Sequence, residues 1–396
     1  MTSVWLAPAL AGAWIVFGLG FVLGTTKKTN RKLLKVWPLR RAARAYRAAV
    51  LRNLAWWLSW PHVVDRIVGT ARTKVGRTPA DVVWRDGPVT LIRYRGQPSH
   101  REPVLLVHSL MTKPAILDLL PDRSLVGWLL SQGFDVFLLD FGQPGHAQSR
   151  WGLDAYAQQY AAAEAAVLAA SGASRVHTIG YCLGATVVLH GFAAEIPVRA
   201  ASLALIAPPI DFAVPGGMRS ILGNRTLRPV LALDGSSLVP AAFVREAFHL
   251  MRPQALRTVW RRLTKRGDQE DKVLYGAMSR WAWEHRPLSG AVLFDLVDLN
   301  RTNDLLPALR GRIEVPTLVA IAERDHIVPA GSSHALSSVA EVEVLAAAAG
   351  HVSMLVGSAA RHSLWPGLAD WLARQQSSIE GPPDVAPRPR RVRGRA

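Results

Sequence analysis

The chain has 396 residues, of which 49% are hydrophobic, so it can bury a full core in one large domain or in two. Its single cysteine excludes an internal disulfide, and the fold therefore does not depend on oxidation, which fits a reducing compartment. Most of the net charge of +18 lies at the two ends of the chain. Residues 1–53 hold ten Lys or Arg and no acid, and residues 385–396 hold five Arg and no acid. Residues 54–384 therefore carry a net charge of only +3. With no recognisable nucleic-acid module, this distribution argues against nucleic acid as a partner.

The first predicted element is an uncharged stretch of 21 residues, Val4–Gly24. As a helix it would be about 31 Å long, close to the roughly 30 Å hydrocarbon thickness of a bilayer. Its positive residues follow the apolar run, whereas a secretory signal carries them in front. Residues 1–26 are therefore predicted to be an uncleaved transmembrane anchor, with the chain after Lys27 in the cytoplasm. The alternative is a buried core helix.

Residues 27–73 are predicted to form a basic amphipathic helical segment. Arg40, Arg44 and Arg47 fall on one helical side, and several Trp residues follow. Such a helix could lie against anionic lipid headgroups, or it could pack on the body of the protein with a solvated face. At the other end, residues 376–396 form a basic tail, rich in Pro and Arg from Gly381 onward, that is predicted to be disordered.

Residues 74–375 alternate between strand-like and helix-like patterns. Six apolar runs end at polar or Gly residues, and two shorter runs precede them: DVVWRD, VTLIRYR, PVLLVHSL, FDVFLLDF, RVHTIGYC, AASLALIAPP, PTLVAIAERD and VEVLAAAAGH. Helical stretches are predicted at Ser124–Gln132, Leu153–Ser171, Gly184–Ala194, Ser332–Val339 and Arg361–Arg374. Apolar strands that alternate with helices predict an α/β fold with a mainly parallel sheet covered by helices on both faces.

A long interval at about residues 211–309 interrupts this alternation and is helical and Trp-bearing. The interval bears three Trp, no larger a share than in the whole chain. It is predicted to be an insertion over the carboxyl edge of the sheet, where open α/β sheets bind their ligands. The alternative is a second packed layer of helices without a gating role.

The position of the single cysteine in the sequence suggests a catalytic role. A single buried cysteine is usually only a small hydrophobe, but Cys182 lies in Gly180-Tyr181-Cys182-Leu183-Gly184, a G-x-C-x-G turn between a predicted strand and a predicted helix. This pattern is a nucleophile elbow with sulfur in place of oxygen. The helix N-terminus would favour the thiolate, and the N–H of Leu183 would face the substrate carbonyl as one oxyanion donor.

A nucleophile elbow needs an acid and a histidine, in the chain order nucleophile, acid, His. Asp325 ends the strand PTLVAIAERD, 143 residues after Cys182, and His351 ends the last strand 26 residues later. The order and the strand-end positions predict a Cys182–Asp325–His351 triad. The remaining histidines that were considered fit these positions less well: His108, His190, His249 and His285.

The second oxyanion donor is predicted in the loop VHSLM after the third strand. Hydrolases carry His-Gly-X at the place of His108-Ser109-Leu110, so the N–H of Leu110 is the first choice and that of Met111 the alternative.

These segments together resemble the polyhydroxyalkanoate synthase family of the α/β-hydrolase superfamily, nearest the short class III type. The resemblance covers about residues 74–373 and rests on motifs such as GYCLGATVV, APPIDFAVPGG, AERDHIVPA and GHVSMLVGSAARHSLWPGLADWL. The family's catalytic Cys, Asp and His match Cys182, Asp325 and His351. Its His after the Asp matches His326 and its lid Trp matches Trp281, which implies substrate-binding roles for both.

Some features depart from the family's usual pattern. Ala185 replaces the second Gly after the elbow, Thr112 replaces an Asn in the oxyanion loop, and the stretch 300–315 is shorter. The predicted anchor and basic helix are not part of the short soluble synthases.

The resemblance implies acyl transfer from 3-hydroxyacyl-CoA to Cys182 and polymerisation to polyhydroxyalkanoate, with residues 211–309 as a lid. It implies no cofactor beyond the CoA of the substrate, and no metal cluster is predicted. A synthase helper subunit or a homodimer is a further expectation, with the membrane as a partner through the N-terminal helix. A cysteine hydrolase, either a thioesterase or a polyester depolymerase, would use the same triad. A membrane-anchored scaffold with a vestigial triad is the third hypothesis.

Overall fold

The computed structural model describes residues 75–223, 237–250, 269–358 and 360–376. The predicted anchor (1–26), the whole of the basic amphipathic segment 27–73, and the tail after residue 376 lie outside the described residues. Among the helices that are described, none combines the length and the hydropathy needed to cross a membrane.

Eight strands form the main sheet, in the order β1-β2-β6-β3-β7-β8-β11-β12. The strands are β1 (Ala80–Asp86), β2 (Val89–Tyr94), β3 (Val104–Val107), β6 (Val136–Asp140), β7 (Val176–Tyr181), β8 (Ala200–Ile206), β11 (Thr317–Ala322) and β12 (Glu343–Ala347). Two short strands, β4 (Asp118–Leu120) and β5 (Arg123–Ser124), pair with each other outside this sheet. The pairs β1–β2 and β2–β6 are antiparallel, and all remaining pairs are parallel. The predicted mainly parallel α/β sheet is therefore confirmed, with each of the eight predicted runs forming one strand.

Strands β3, β7 and β8 are buried along their whole length. A parallel strand in mid-sheet is covered by helices on both faces, so both sets of its side chains must be apolar or paired. This burial explains the continuous apolar runs in the sequence. The helices that cover the sheet are α1 (Leu125–Ser131), α2 (Leu153–Ser171), α3 (Leu183–Ala193), α9 (Ala330–His334) and α11 (Trp365–Arg374).

The chain between β8 and β11 forms a separate helical region, which we call the cover. Its described elements are α4 (Gly217–Leu222), β9 (Leu238–Val239), α5 (Ala241–Leu250), α6 (Gln269–Trp283), β10 (Leu288–Ser289), α7 (Gly290–Thr302) and α8 (Leu305–Ala308). The short strands β9 and β10 pair with each other in antiparallel register. The described parts of the predicted interval 211–309 are thus mainly helical, with one pair of two-residue strands, and they lie between two neighbouring strands of the main sheet.

The cover is fixed to the sheet edge by polar contacts at Arg286. Its backbone N–H donates to Met111 O at 2.9 Å. Its guanidinium binds both carboxylate oxygens of Asp140, at the end of β6, and the carbonyl of Gly142 at 3.0 Å. Asp140 and Arg286 are mostly buried, and a bidentate pair of this kind fixes the orientation of both partners.

Candidate active site

Cys182 stands at the turn between β7 and α3, with φ 52° and ψ −123°. A non-glycine residue with positive φ is strained by about 1–3 kcal/mol and persists only where the surroundings hold it. Here the Cys182 N–H donates to Ile206 O of the neighbouring strand at 2.9 Å, and its carbonyl accepts from Ala185 N at 3.0 Å. The structure therefore has the geometry of a nucleophile elbow at this residue.

The glycines on either side of the elbow are required by close approach. A Cβ at Gly180 would lie 2.7 Å from Ala185 Cα, and a Cβ at Gly184 would lie 2.2 Å from Val107 O. These contacts are with backbone atoms or the first atoms of side chains, which cannot rotate away. The G-x-C-x-G spacing therefore lets the start of α3 pack directly against the end of β3.

Asp325 and His351 meet beside this turn. Asp325 follows β11 and His351 follows β12, so parallel pairing brings both to the edge of the sheet where β7 ends. His351 Nδ1 lies 2.6 Å from Asp325 Oδ2. The other carboxylate oxygen, Oδ1, accepts the N–H groups of Ile327 at 2.8 Å and Val328 at 2.9 Å. The carboxylate is thus held from both sides, and it orients the imidazole.

His351 and Cys182 line the same pocket, and the Cys182 side chain acts electrostatically on the imidazole of His351. Burial by itself lowers the pKa of His351, but the charges of Cys182 and Asp325 and the hydrogen bond to Asp325 raise it, with a net increase to about 10. A histidine with a raised pKa is an imidazolium at neutral pH. This arrangement can therefore hold an imidazolium beside a thiolate, which is the nucleophilic form of sulfur.

The predicted oxyanion donors, Leu183 and Leu110, lie in the elbow and in the loop after β3, next to residues that line the pocket. Leu183 is the first residue of α3, where a backbone N–H has no acceptor within the helix. Leu110 lies in the loop with its side chain buried in the core, and its neighbours Ser109 and Thr112 line the pocket. Met111, the alternative, lines an apolar cavity next to the pocket instead.

The structure separates the two residues to which the resemblance gives substrate-binding roles. Trp281 lines the pocket, and its Nε1 donates to Lys113 O at 2.8 Å, which joins α6 to the oxyanion loop. The side chain of His326 is exposed and does not line the pocket; its carbonyl accepts from Gly217 N at 3.0 Å. Only Trp281 lies where it could touch a substrate bound at Cys182.

The other histidines have different surroundings. His190 Nε2 lies 2.6 Å from Asp154 Oδ1, near the end of α3, and the side chain of His249 is outside the described residues. His108 Nε2 lies 2.9 Å from Thr112 Oγ1, and burial lowers the pKa of His108 to about 3, so this ring is neutral.

His285 lines the pocket together with Cys182 and His351. Its position in the sequence fits the triad poorly, and no spacing or motif signals that its side chain lies in the pocket. Phe248 and Tyr181 also line the pocket without a signal in the sequence; the Tyr181 ring lies 5.3 Å from the ring of His351. Within the described residues, no group of three or more His, Cys, Asp or Glu is placed to hold a metal ion.

Two family models match the chain. The alpha/beta hydrolase fold matches residues 102–358, and the N-terminus of poly-beta-hydroxybutyrate polymerase (PhaC) matches residues 64–129. Among solved structures, a lipase in its open form superposes with a TM-score of 0.52 at 14% identity, over 75% of this chain and 99% of that chain. At this identity the likeness shows the fold alone.

Curated relatives are named poly(3-hydroxyalkanoate) polymerase subunit PhaC. The protein of Haloferax mediterranei is 31% identical over 81% of this chain and 69% of its own length. That of Synechocystis is 27% identical over 76% of this chain and 86% of its own length. That of Allochromatium vinosum is 26% identical over 78% and 92%. The chain therefore belongs to the PhaC family of poly(3-hydroxyalkanoate) polymerases, enzymes of the polyhydroxyalkanoate synthase type built on the alpha/beta hydrolase fold.

Proposed function

We propose that this protein transfers the acyl group of a 3-hydroxyacyl-CoA to the sulfur of Cys182 and polymerises it to polyhydroxyalkanoate. The observation that carries the proposal is the buried Cys182–His351–Asp325 arrangement in a chain that belongs to the PhaC family. Relatives named as polymerases support the polyester as the product.

In the first step the Cys182 thiolate, its proton held by His351, attacks the carbonyl carbon of the thioester. The developing oxyanion would accept hydrogen bonds from the N–H groups of Leu183 and Leu110. When the tetrahedral intermediate collapses, the bond to CoA breaks, and the leaving CoA sulfur takes the proton from His351. The acyl group is then a thioester of Cys182.

In the second step the hydroxyl of another 3-hydroxyacyl unit attacks the Cys182 thioester. His351, now neutral, takes the hydroxyl proton while an ester bond forms and the bond to Cys182 sulfur breaks. Asp325 stabilises the imidazolium in both steps. Sulfur suits this task because transfer between two thioesters keeps the transfer potential of the acyl group, whereas a serine ester would lose the drive toward a new ester.

The acyl thioester must also be kept from water. Phe248, Trp281 and Ala282 of the cover form one wall of the pocket above Cys182. Next to it lies an apolar cavity lined by further side chains of the cover, among them Phe243, Leu288 and Leu293, and by Phe248, which it shares with the pocket. An apolar enclosure of this kind excludes water from the intermediate, and we propose that the cover acts as the lid.

The relatives carry the word subunit in their names. We therefore propose that the chain works with a second subunit or with a second copy of itself. The substrate brings CoA, and no other cofactor enters the proposal.

The test is an assay of the purified protein with 3-hydroxybutyryl-CoA, with CoA release measured and the product identified. We expect CoA release together with polymer. Free 3-hydroxybutyrate as the sole product would mean a cysteine hydrolase with the same triad. The absence of CoA release would support a scaffold with a vestigial triad.

Cys182→Ala should reduce CoA release by at least about 10³-fold, because no other group can hold the acyl intermediate. The variant removes one sulfur atom at a site already held by the backbone, so its melting temperature serves as the control for folding. Retained turnover in this variant would remove Cys182 from the mechanism.

We also propose that residues 1–26 anchor the protein in a membrane, with residues 74–375 in the cytoplasm. The uncharged run Val4–Gly24, followed by basic residues, supports this proposal. Deleting residues 1–26 should move the protein from the membrane fraction to the soluble fraction of a cell lysate. An unchanged distribution would contradict the anchor.

A further inference from the structure

His285 presents an unused hydrogen-bond acceptor in the pocket of Cys182. The residue follows α6, and its Nδ1 lies 2.7 Å from Ala282 O. A carbonyl oxygen can only accept, so Nδ1 carries the proton of the neutral ring and Nε2 is left with a free lone pair. Nε2 is buried and has no hydrogen-bond partner among the described residues.

The ring is neutral at pH 7. Burial lowers the pKa of His285 to about 4, against the hydrogen bond that its ring donates to Ala282 O, which raises it. A buried acceptor without a donor costs about 1–3 kcal/mol. Such a cost in a pocket is recovered when a ligand brings the missing donor.

The position of the ring is fixed by its neighbours. His285 forms an isolated antiparallel bridge with Thr112 of the oxyanion loop, and the next residue, Arg286, is bound to Met111 and Asp140. The ring packs against Phe248, with 5.2 Å between ring centroids. His285 therefore stands beside the oxyanion loop, on the wall of the pocket that holds the thiol.

We propose that His285 Nε2 accepts a hydrogen bond from the 3-hydroxyl of the acyl thioester and so selects hydroxylated acyl groups. This inference rests on the proposed function and adds to it a residue that recognises the hydroxyl group of the substrate. A 3-hydroxyacyl thioester brings the donor that the pocket lacks. An acyl thioester without the hydroxyl leaves Nε2 unpaired, and a site built around a hydrogen bond rejects such an analogue more strongly than a site built on apolar contact alone.

The test compares 3-hydroxybutyryl-CoA with butyryl-CoA in single-turnover CoA release, with enzyme in excess. The two thioesters share the whole CoA moiety, so any contact of His285 with the amide groups of CoA cancels in the ratio of the two second-order rate constants. The wild-type protein should favour the hydroxylated substrate. In His285→Leu, the ratio should fall about 10–100-fold, which is the loss of one buried hydrogen bond.

His285→Gln is the conservative variant, because its side-chain carbonyl can accept the same hydrogen bond, and it should keep most of the ratio. If His285→Leu does not fold, His285→Met provides the apolar variant. If His285→Leu lowers the rate constants for both substrates equally, the ratio is unchanged, His285 has a structural role, and the inference is overturned. It is also overturned if neither rate constant changes. If the wild-type protein releases CoA from neither substrate, the proposed function fails, and this inference fails with it.

Discussion

Strand β7 has His177 as its second residue, and Cys182 follows its last residue, so the surroundings of its two ends can be compared. At the start, the His177 side chain is fully buried, its Nδ1 lies 2.8 Å from Ser202 Oγ, and its Nε2 has no partner among the described residues. Beside the other end, His351 is also buried, but it contacts the carboxylate of Asp325 and shares a pocket with Cys182.

The two rings have opposite pKa shifts. Burial lowers the pKa of His177 to about 4, and the charge of Glu102, which opposes this, is too weak to reverse it. At His351 the charges of Cys182 and Asp325 outweigh burial and raise the pKa to about 10. Burial alone thus neutralises an imidazole, and only nearby charged groups keep it protonated. Substitutions near each end of β7 test whether these surroundings account for the difference between the two histidines.

The largest effect is expected from Asp325→Asn. The amide oxygen can still accept from Ile327 and Val328, but the amide N–H group would face His351 Nδ1 and force the proton onto Nε2, where it blocks acceptance of the thiol proton. We expect kcat/KM for CoA release at pH 7 to fall about 10²–10⁴-fold.

The same variant can be examined without substrate, because Cys182 is the chain's single cysteine. Its alkylation by iodoacetamide at neutral pH should slow, since loss of the carboxylate charge lowers the pKa of His351 and leaves less imidazolium to pair with the thiolate. The melting temperature controls for folding. A loss of kcat/KM below about tenfold would contradict the role given to Asp325.

A smaller effect, on stability, is expected from Gly184→Ala at the catalytic end. The added Cβ would lie 2.2 Å from Val107 O and 2.7 Å from His108 O. Relieving these contacts requires a backbone shift, so the free energy of unfolding should fall by about 1–3 kcal/mol in urea titrations.

The matched control is Gly191→Ala on the same helix. There the nearest atom to an added Cβ is Ala157 Cβ at 3.6 Å, an ordinary contact. Alanine is the better helix former by up to about 1 kcal/mol, so this variant should be neutral or more stable. Equal losses in the two variants would show that the approach of α3 to β3 does not constrain the elbow.

The smallest effect is expected from His177→Gln and concerns the pH dependence of stability. Between pH 6.5 and about 4 the unfolded chain binds a proton at His177 that the folded protein does not, so this residue makes the folded protein less stable as pH falls. In His177→Gln, the free energy of unfolding should therefore fall less steeply as the pH is lowered, by up to about 1.4 kcal/mol per pH unit.

Urea titrations of both proteins from pH 4 to pH 8 measure this difference, and pH 8, where the ring is neutral in both states, gives the baseline. Burial raises the pKa of Glu164 to about 7, so this residue makes the folded protein more stable as pH falls. Glu164 is present in both proteins, and its effect therefore cancels in their difference. Parallel curves for the two proteins would mean that burial does not control the pKa of His177.

Much of the fold could be predicted because its signals are local. A helix from Leu153 to Ser171 was predicted with the bounds that the structure shows, since Gly172 ends it with a φ of 74°. Strands β3, β7 and β8 were visible as continuous apolar runs because parallel strands buried on both faces tolerate little else. The elbow was visible because two glycines within five residues are needed for its close contacts, and the chain order then pointed to Asp325 and His351.

The sequence by itself therefore determined the order of strands and helices and the residues at the strand ends. It did not determine which of the cover's side chains face the thiol, since the cover has no period or spacing tied to the sheet. Tertiary packing alone placed Trp281 and His285 in the pocket and left His326 exposed. The physical reason is range: turns and strands are set by neighbours in the chain, whereas a pocket wall depends on contacts between segments about a hundred residues apart, such as His285 and Cys182.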